Sequence, residues 1–97
     1  MAKIRWTAEA ESWLKDIHDY IAIDNPEAAA AVINGIYERT QDLTRFPNLG
    51  YKYKTDIAPI RILLYEHYRI AYIVKQNGDI DILGVFHGAL EIDRYLF

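Results

Sequence analysis

The sequence predicts an α+β fold, in the order β-α-α-β-β-β, in which a helical hairpin packs on one face of a small antiparallel sheet. Two amphipathic helical patterns occupy residues 8–43, and a short turn signal separates them. Three alternating apolar segments follow within residues 60–86. A helical hairpin and a three-stranded meander each leave one apolar face uncovered, so the two layers are expected to bury each other.

The chain begins with a strand pattern that leads into the first helix. Residues 2–6 alternate small or apolar side chains with basic ones, which is the period of a half-buried strand. Thr7 is suited to cap the following helix, and Glu9 and Glu11 fall where carboxylates stabilise the positive end of the helix dipole. A helix that begins near Ala8 places these apolar side chains on one stripe: Ala10, Trp13, Leu14, Ile17, Tyr20 and Ile21.

A second helix is predicted directly after the first. Asn25 can cap it, Pro26 suits the first helical position because its missing N–H would be unpaired there, and Glu27 favours the dipole. So short a joint between two amphipathic helices predicts an antiparallel hairpin. Gly35 indicates either a close crossing or a tolerated surface glycine. The apolar stripe of this helix contains Ala29, Val32, Ile33, Ile36, Tyr37, Thr40 and Leu43.

The rest of the chain is predicted to form turns and strands. Turn residues at 46–50 end the second helix, and a loop follows through Asp56. The Asn77-Gly78 pair supplies the positive φ that a tight hairpin requires. The predicted strands are Ile60–Tyr65, Tyr68–Lys75 and Ile80–Phe86, with a turn at Glu66-His67 and a terminal helical turn at Glu91–Leu96.

Composition limits the classes of function. With 97 residues the chain is expected to form a single domain, residues 1–97, and its 52% apolar residues suffice for one core. The absence of cysteine excludes disulfides, thiolate metal sites and a cysteine nucleophile. The first residues lack the apolar core of a signal peptide, and no apolar run approaches the roughly 18 residues of a membrane span. A cytoplasmic protein with no membrane partner is therefore expected.

The charge distribution argues against general nucleic-acid binding. The net charge is −3, and the acidic excess lies in the helical half. Proteins that bind phosphates need a basic excess, because each neutralised phosphate requires a nearby Lys or Arg. One local basic group is either a solvated strand edge or a binding surface: Lys52, Lys54, Arg61 and Arg69.

The sequence offers few groups for catalysis. The three histidines lack a metal-ligand spacing, so no metal site is predicted, and without a glycine-rich phosphate loop no cofactor is expected. Strand alternation predicts these helix-facing positions in the middle strand: Tyr68, Ile70, Tyr72 and Val74. Arg69 then faces outward, where its fork could bind a phosphate or a carboxylate. His87, at the end of the last strand, is either a proton-transfer group or a histidine that hydrogen-bonds the backbone.

Motifs at six places along the chain carry a family resemblance. They are Trp6–Ala10, Asp16–Tyr20, Asn25-Pro26, Leu43–Gly50, Tyr68–Tyr72 and Val85–Gly88. Together and in this order they resemble the RelE/ParE toxin superfamily of bacterial type II toxin-antitoxin modules. The resemblance implies the fold predicted above and a small cytoplasmic toxin of the plasmid-stabilisation type. It also implies a co-encoded antitoxin whose extended or helical segment wraps the toxin surface.

The superfamily divides by target, and the resemblance implies different site residues for each branch. RelE-like members cleave messenger RNA on the ribosome with basic residues on the sheet and an acid or base near the C-terminus. If this chain is such a nuclease, the candidate residues are Arg61, Arg69, His87 and Tyr95. ParE-like members inhibit DNA gyrase and lack that set.

The sequence is closer to the ParE-like pattern. Apolar side chains stand where nucleases tend to carry basic ones: Ile60, Ile62 and Leu64. Gly88 or Ala89 stands at the position of a nuclease arginine, and the His87-Gly88 ending is more similar to ParE. The leading hypothesis is a ParE-like toxin that inhibits DNA gyrase by binding and is neutralised by a cognate antitoxin. The alternatives are a ribosome-dependent mRNA endoribonuclease and a non-toxic member that only binds its antitoxin.

Overall fold

A mixed sheet forms the centre of the fold. The computed structural model describes residues 2–53, 58–88 and 92–96. The strands within them are β1 (Ile4–Trp6), β2 (Tyr51–Lys52), β3 (Ile60–Tyr65), β4 (Tyr68–Val74) and β5 (Ile80–His87). These five described strands form one sheet in the order β1-β5-β4-β3-β2. Four residues used in the predictions lie outside the described part of the chain: Lys54, Asp56, Ala89 and Glu91.

The two long helices begin at the residues that the sequence predicts. They are α1 (Ala8–Ala22) and α2 (Pro26–Gln41), and a 3₁₀ turn follows at Asp42–Thr44. The Thr7 hydroxyl accepts a hydrogen bond from the Ala10 N–H at 3.2 Å, and Asn25 Oδ1 accepts one from the Ala28 N–H at 3.1 Å. Each cap satisfies an N–H that has no partner within its own helix. Among the described residues, no helix combines the length and apolarity that crossing a membrane requires.

The sheet extends the predicted antiparallel meander by one strand on each side. β3, β4 and β5 are antiparallel as predicted, whereas β1 pairs in parallel with β5. Parallel pairing is available to β1 because the two helices provide the long crossover that it requires. On the other side, Tyr51 and Lys52 pair antiparallel with β3 where the sequence predicts a loop. A strand of two residues is too short to carry a period-2 signal.

Apolar side chains are buried on both faces of the sheet. On the helix side, Ile70 and Tyr72 are fully buried against Leu14 of α1 and Ile36 of α2, which confirms the predicted helix-facing set of β4. The outer face has its own cluster: Ile60, Ile62, Ala71, Phe86 and Ile92. The prediction is wrong for Tyr20, which is 78% exposed. The last turns of α1 border an open groove there rather than the sheet.

Gly35 marks a close contact between α2 and the sheet. A Cβ at this position would collide with the Tyr65 phenol of β3. The close approach that the sequence indicates is therefore made to a strand, and the alternative of a tolerated surface glycine is excluded. Gly78 has a φ of +91° in the hairpin between β4 and β5, which confirms the predicted Asn-Gly turn.

The C-terminal segment covers the outer face beside β5. Ile92 is buried in the outer cluster, and a short helix, α3 (Asp93–Leu96), follows it in the place of the predicted terminal turn. The Tyr95 ring meets Trp13 edge-on with centroids 4.9 Å apart and stacks on Phe86 at 5.8 Å. These three rings join the end of the chain to both α1 and the sheet.

Candidate functional site

The turn between β3 and β4 meets the end of β5 and forms an open pocket at one tip of the sheet. The pocket has a volume of about 400 Å³, and His67, Arg69 and His87 are among its lining residues. The Gly88 N–H donates to the His67 carbonyl at 2.7 Å and holds the strand end against the turn. Glu66 has a φ of 51°, in the left-handed region that a tight turn uses. We call this the tip pocket.

Aromatic rings form one wall of the tip pocket. The His67 and His87 rings stack with centroids 6.3 Å apart, and the Tyr68 ring meets His87 edge-on at 5.8 Å. Burial raises the pKa of Tyr68, and the negative charge of Glu66 raises it further. At neutral pH the Tyr68 phenol is therefore protonated and offers a hydrogen-bond donor rather than a base.

His67 is the pocket residue that sequence reasoning missed. A signal for it exists, because a two-residue Asn77-Gly78 turn places Tyr68 opposite His87 and therefore brings the neighbouring His67 close to it. The observed register does pair His87 with Tyr68, although regular pairing from the first residues of the hairpin would place His87 opposite His67.

A β-bulge in β5 causes this shift and turns His87 to the helix side of the sheet. The register of β4 and β5 slips once, which leaves Leu83 as an additional residue in β5. Beyond a bulge, alternation resumes with the opposite sense, so side chains exchange faces. His87 consequently lies beside Tyr68 on the helix side, whereas Arg69 points to the outer side.

Arg69 has the outward orientation that the sequence predicts. It lies opposite Leu64 of β3 and Phe86 of β5. Its Nη2 atom donates a hydrogen bond to the Gly88 carbonyl at 2.7 Å. One arm of the guanidinium thus holds the end of β5, at the same residue whose N–H is bound to the β3–β4 turn.

The structure does not bring Arg61 and Tyr95 to the tip pocket. Arg61 pairs with the helix-facing Tyr72, so it lies on the face opposite to Arg69. Tyr95 belongs to the aromatic cluster beside α1 described above. Of the four nuclease candidates, Arg69 and His87 share this pocket. The described members of the predicted basic group are likewise divided, with Lys52 and Arg61 on one face and Arg69 on the other.

A groove between α1 and the end of β5 adjoins the tip pocket on the helix side. Its volume is about 440 Å³, and its lining is mainly apolar, with Trp13, Ile17 and Tyr20 from α1 facing Tyr68 and His87 from the sheet. We call this the α1 groove. It shares Tyr68 and His87 with the tip pocket, so the two form one continuous surface.

The second half of α1 gives this groove an acidic and apolar rim. Asp16 lines the groove, and Asp19 follows one turn later with Lys15 as its partner at 2.7 Å. Tyr20 and Ile23 expose 78% and 80% of their surface. Large exposed apolar side chains that border a groove are typical of a surface that binds another protein.

The chemistry available in the tip pocket is limited. It offers two imidazoles, one phenol that can donate a hydrogen bond, and one guanidinium that is partly used by the backbone. In the described part of the chain, no group of three or more His, Asp or Glu side chains could hold a metal ion. The pocket is better suited to hydrogen-bonding a partner than to stabilising a phosphorane with several cations.

One family model and one related sequence each match most of the chain. The family model for the ParE toxin of the type II toxin-antitoxin system, parDE, matches residues 4–91. Putative toxin Y4kP of Sinorhizobium fredii is 33% identical over 85 residues, which are 88% of this chain and 86% of that protein.

Two solved structures have the same architecture. The chromosomal ParDE toxin-antitoxin system of P. aeruginosa aligns with a TM-score of 0.74 and 27% identity, over 90% of this chain and 96% of that one. The RelBE2 toxin-antitoxin complex of Mycobacterium tuberculosis aligns with a TM-score of 0.63 and 24% identity, over 89% and 96% of the two chains. The second likeness is one of fold alone.

Proposed function

This chain belongs to the ParE toxin family of type II toxin-antitoxin systems, and from that premise we propose that it inhibits DNA gyrase by binding to it. A cognate antitoxin neutralises it. The observation that carries the choice of gyrase over messenger RNA is the separation of Arg61 from Arg69, which lie on opposite faces of the sheet. A binding toxin requires a surface, whereas a nuclease requires its catalytic groups around one phosphate.

Cleavage of RNA by its own 2′-hydroxyl needs a base, an acid and cationic stabilisation at a single phosphorus atom. Arg61 is unsuited to join Arg69 in that task, because its Nη1 atom donates to the Gly50 carbonyl at 2.7 Å on the helix side. Tyr95 is packed against Trp13 rather than beside His87. These placements favour inhibition by contact over catalysis.

The α1 groove supports the second part of the proposal, the antitoxin contact. Its lining is mainly apolar with Asp16 at its rim, and three carboxylates against one lysine give this end of α1 a net negative charge: Asp16, Asp19 and Asp24 against Lys15. A segment of the antitoxin with apolar side chains on one side and Lys or Arg beside them complements both properties. Tyr20 and Ile23, which are otherwise exposed to water, would be covered by such a segment.

A supercoiling assay with purified DNA gyrase tests the proposal, run beside a ribosome-dependent mRNA cleavage assay. The full chain is expected to inhibit supercoiling and to leave the mRNA intact, and added antitoxin is expected to restore gyrase activity. Cleaved mRNA with uninhibited gyrase would sink the gyrase assignment. Neither activity, with tight antitoxin binding, would identify a non-toxic member that only binds its antitoxin.

A second candidate, the ribosome-dependent endoribonuclease, is favoured by one observation: Arg69 and His87 do line the same pocket. The variants Arg69→Met and His87→Ala separate the two functions. A nuclease would lose mRNA cleavage by about 100-fold or more with either variant, because Arg69→Met removes a cation that stabilises the phosphorane and His87→Ala removes a general acid or base. A gyrase inhibitor is expected to keep its inhibition in His87→Ala.

A further inference from the structure

The segment Arg45–Lys52, here called the 45–52 loop, is held in place by side chains from the core. Tyr72 is fully buried, and its hydroxyl accepts a hydrogen bond from the Gly50 N–H at 2.9 Å and donates one to the Pro47 carbonyl at 2.7 Å. Arg61 adds a hydrogen bond to the Gly50 carbonyl. Buried polar groups that are fully bonded fix one conformation.

The loop is also seated directly on the sheet. A Cβ at Gly50 would lie 2.7 Å from both the Ile62 carbonyl oxygen and the Tyr72 ring. Nothing larger than glycine fits there without movement of backbone or a buried ring. The conformation of the loop is therefore specified by tertiary contacts at three of its residues, Pro47, Asn48 and Gly50.

This fixed loop exposes large apolar side chains. Phe46, Leu49 and Tyr51 are 61%, 43% and 46% exposed, and a shallow pocket of about 440 Å³ runs along residues 45–49. Exposed aromatic and aliphatic side chains on a rigid backbone are the usual anchors of a protein interface, since little conformational entropy is lost when they are covered.

The charge of this surface is opposite to that of the α1 groove. Residues 43–53 contain Arg45 and Lys52 and no Asp or Glu. The nearest acid before them, Asp42, is paired with Arg39 at 2.9 Å. The two surfaces also lie at opposite ends of the helical hairpin, because the loop follows the C-terminus of α2. On β4 they adjoin Tyr72 and Tyr68, which are four residues apart, or about 13 Å at 3.3 Å per residue.

We propose that the 45–52 loop is a docking surface for the target of the toxin, and that it binds an acidic and apolar patch on that protein. This rests on the proposed function, in which the target is DNA gyrase. A basic and apolar antitoxin segment that fits the acidic α1 groove would meet like charge at this loop. The chain thus presents one surface to each of two partners of opposite charge.

The test uses the full chain with Phe46→Ser and Leu49→Ser combined, and measures gyrase inhibition, growth arrest on expression and antitoxin affinity. The loop variant is expected to need about tenfold more protein for half-inhibition of supercoiling and to arrest growth less, with unchanged antitoxin affinity. The matched control, Tyr20→Ser with Ile23→Ser, removes two apolar side chains that are even more exposed, at 78% and 80%, from the end of α1 beside the α1 groove. It is expected to weaken antitoxin binding and to leave gyrase inhibition unchanged.

Two further variants test the argument step by step. Arg45→Glu with Lys52→Glu is expected to slow association with the target and to abolish its acceleration at low salt, as loss of electrostatic steering requires. Tyr72→Phe keeps the buried ring but removes both of its hydrogen bonds to the loop. It is expected to weaken gyrase inhibition while antitoxin affinity is preserved, which separates loop order from general unfolding.

Three outcomes would overturn the inference. The loop variant could bind the antitoxin more weakly, or it could inhibit gyrase and arrest growth as strongly as the wild type. The third is that the wild type self-associates and the loop variant does not. Growth arrest is independent of the identity of the target. If the wild type arrests growth without inhibiting gyrase, the gyrase proposal fails, and the growth effect of the loop variant still decides the docking inference. A wild type with neither activity overturns both proposals.

Discussion

Two tyrosines, Tyr68 and Tyr72, lie towards opposite ends of β4 on the same face of the sheet, and their surroundings differ. Tyr72 is fully buried and forms two hydrogen bonds to the 45–52 loop, which closes over it. Tyr68, four residues earlier, lines a groove that α1 leaves open. A side chain on one strand therefore serves stability at one end and offers a binding surface at the other, and the difference lies in what packs above it.

The two arginines follow the same division. Arg61, at the closed end, holds the loop through Gly50, and Arg69, at the open end, holds the strand terminus through Gly88. Both guanidiniums bind backbone carbonyls at 2.7 Å. In the sequence, Arg61 and Arg69 look like a pair that could bind one phosphate. In the structure, each of them instead holds a different segment of backbone.

The largest effect is expected from Tyr72→Ala, compared with Tyr68→Ala. Removal of the fully buried Tyr72 ring should lower the free energy of unfolding by about 3–5 kcal/mol, as for other buried aromatic side chains. Tyr68→Ala should cost about 1 kcal/mol, the centre of the range for ordinary substitutions. Urea unfolding followed by far-UV circular dichroism measures both. Equal losses would contradict the distinction between a closed and an open end.

Removal of the hydroxyl group alone sharpens the comparison. Tyr72→Phe leaves the Gly50 N–H and the Pro47 carbonyl without their partner, and should cost about 1–3 kcal/mol, the range for unsatisfied buried polar groups. Tyr68→Phe, whose hydroxyl faces an open groove, should change stability by less than about 0.5 kcal/mol. Thermal unfolding of the matched pair gives the difference, and a stability loss in Tyr68→Phe alone would reverse the assignment.

The open end should be the more sensitive of the two in antitoxin binding. Tyr68→Ala is expected to weaken antitoxin affinity by about tenfold, because an aromatic wall of the α1 groove is removed. Tyr72→Phe, at the closed end, is expected to leave that affinity unchanged. Isothermal titration with the purified antitoxin provides the measurement. Unchanged affinity in Tyr68→Ala would place the antitoxin elsewhere on the toxin.

The smallest effect comes from an ion pair that belongs to neither end. Arg5 Nε and Nη2 donate to the two Asp81 oxygens at 3.1 and 2.9 Å, and these hydrogen bonds hold the pKa of the Asp81 carboxyl below its usual range. The stability that this ion pair contributes is therefore fully present above the ordinary carboxyl pKa of about 4, and it is lost as the pH falls through the lowered pKa of Asp81. The contribution is small, since the Arg5 side chain is 68% exposed.

Asp81→Asn should therefore flatten the loss of stability in acid. Denaturant midpoints of the wild type and the variant, measured from about pH 6 down to about pH 3, should converge as the pH falls. A difference between them that grows in acid would contradict the direction of the pKa shift.

Much of the fold follows from local patterns in the sequence. Thr7 and Asn25 cap the two helices as predicted, and the alternation of β4 gives the correct faces for Tyr72 and Arg69. These signals depend on residues that are close together in the sequence, so they can be recognised without knowledge of the rest of the chain. The resemblance to ParE toxins likewise depends on short motifs in a fixed order.

The candidate site was less predictable, because long-range contacts decide it. Regular alternation from Ile80 would place His87 on the face of Arg69, and the additional residue Leu83 in β5 reverses that placement. A bulge depends on how two strands pair, and its one local sign is Gly84, since a glycine inside a strand pattern often marks a bulge. Arg61 is similar, since its role depends on a loop eleven to thirteen residues away in the chain.

By itself, then, the sequence determined the order of the elements apart from β2, the helix caps, the faces of β4 and the toxin family. The tertiary structure alone decided the parallel pairing of β1, the placement of His87 and Arg69 on opposite faces of the sheet, and the seating of the 45–52 loop on Tyr72. The physical reason is the distance along the chain between the residues that interact. Periodicity and capping are properties of neighbouring residues, whereas strand register and loop conformation depend on hydrogen bonds between residues that only folding brings together.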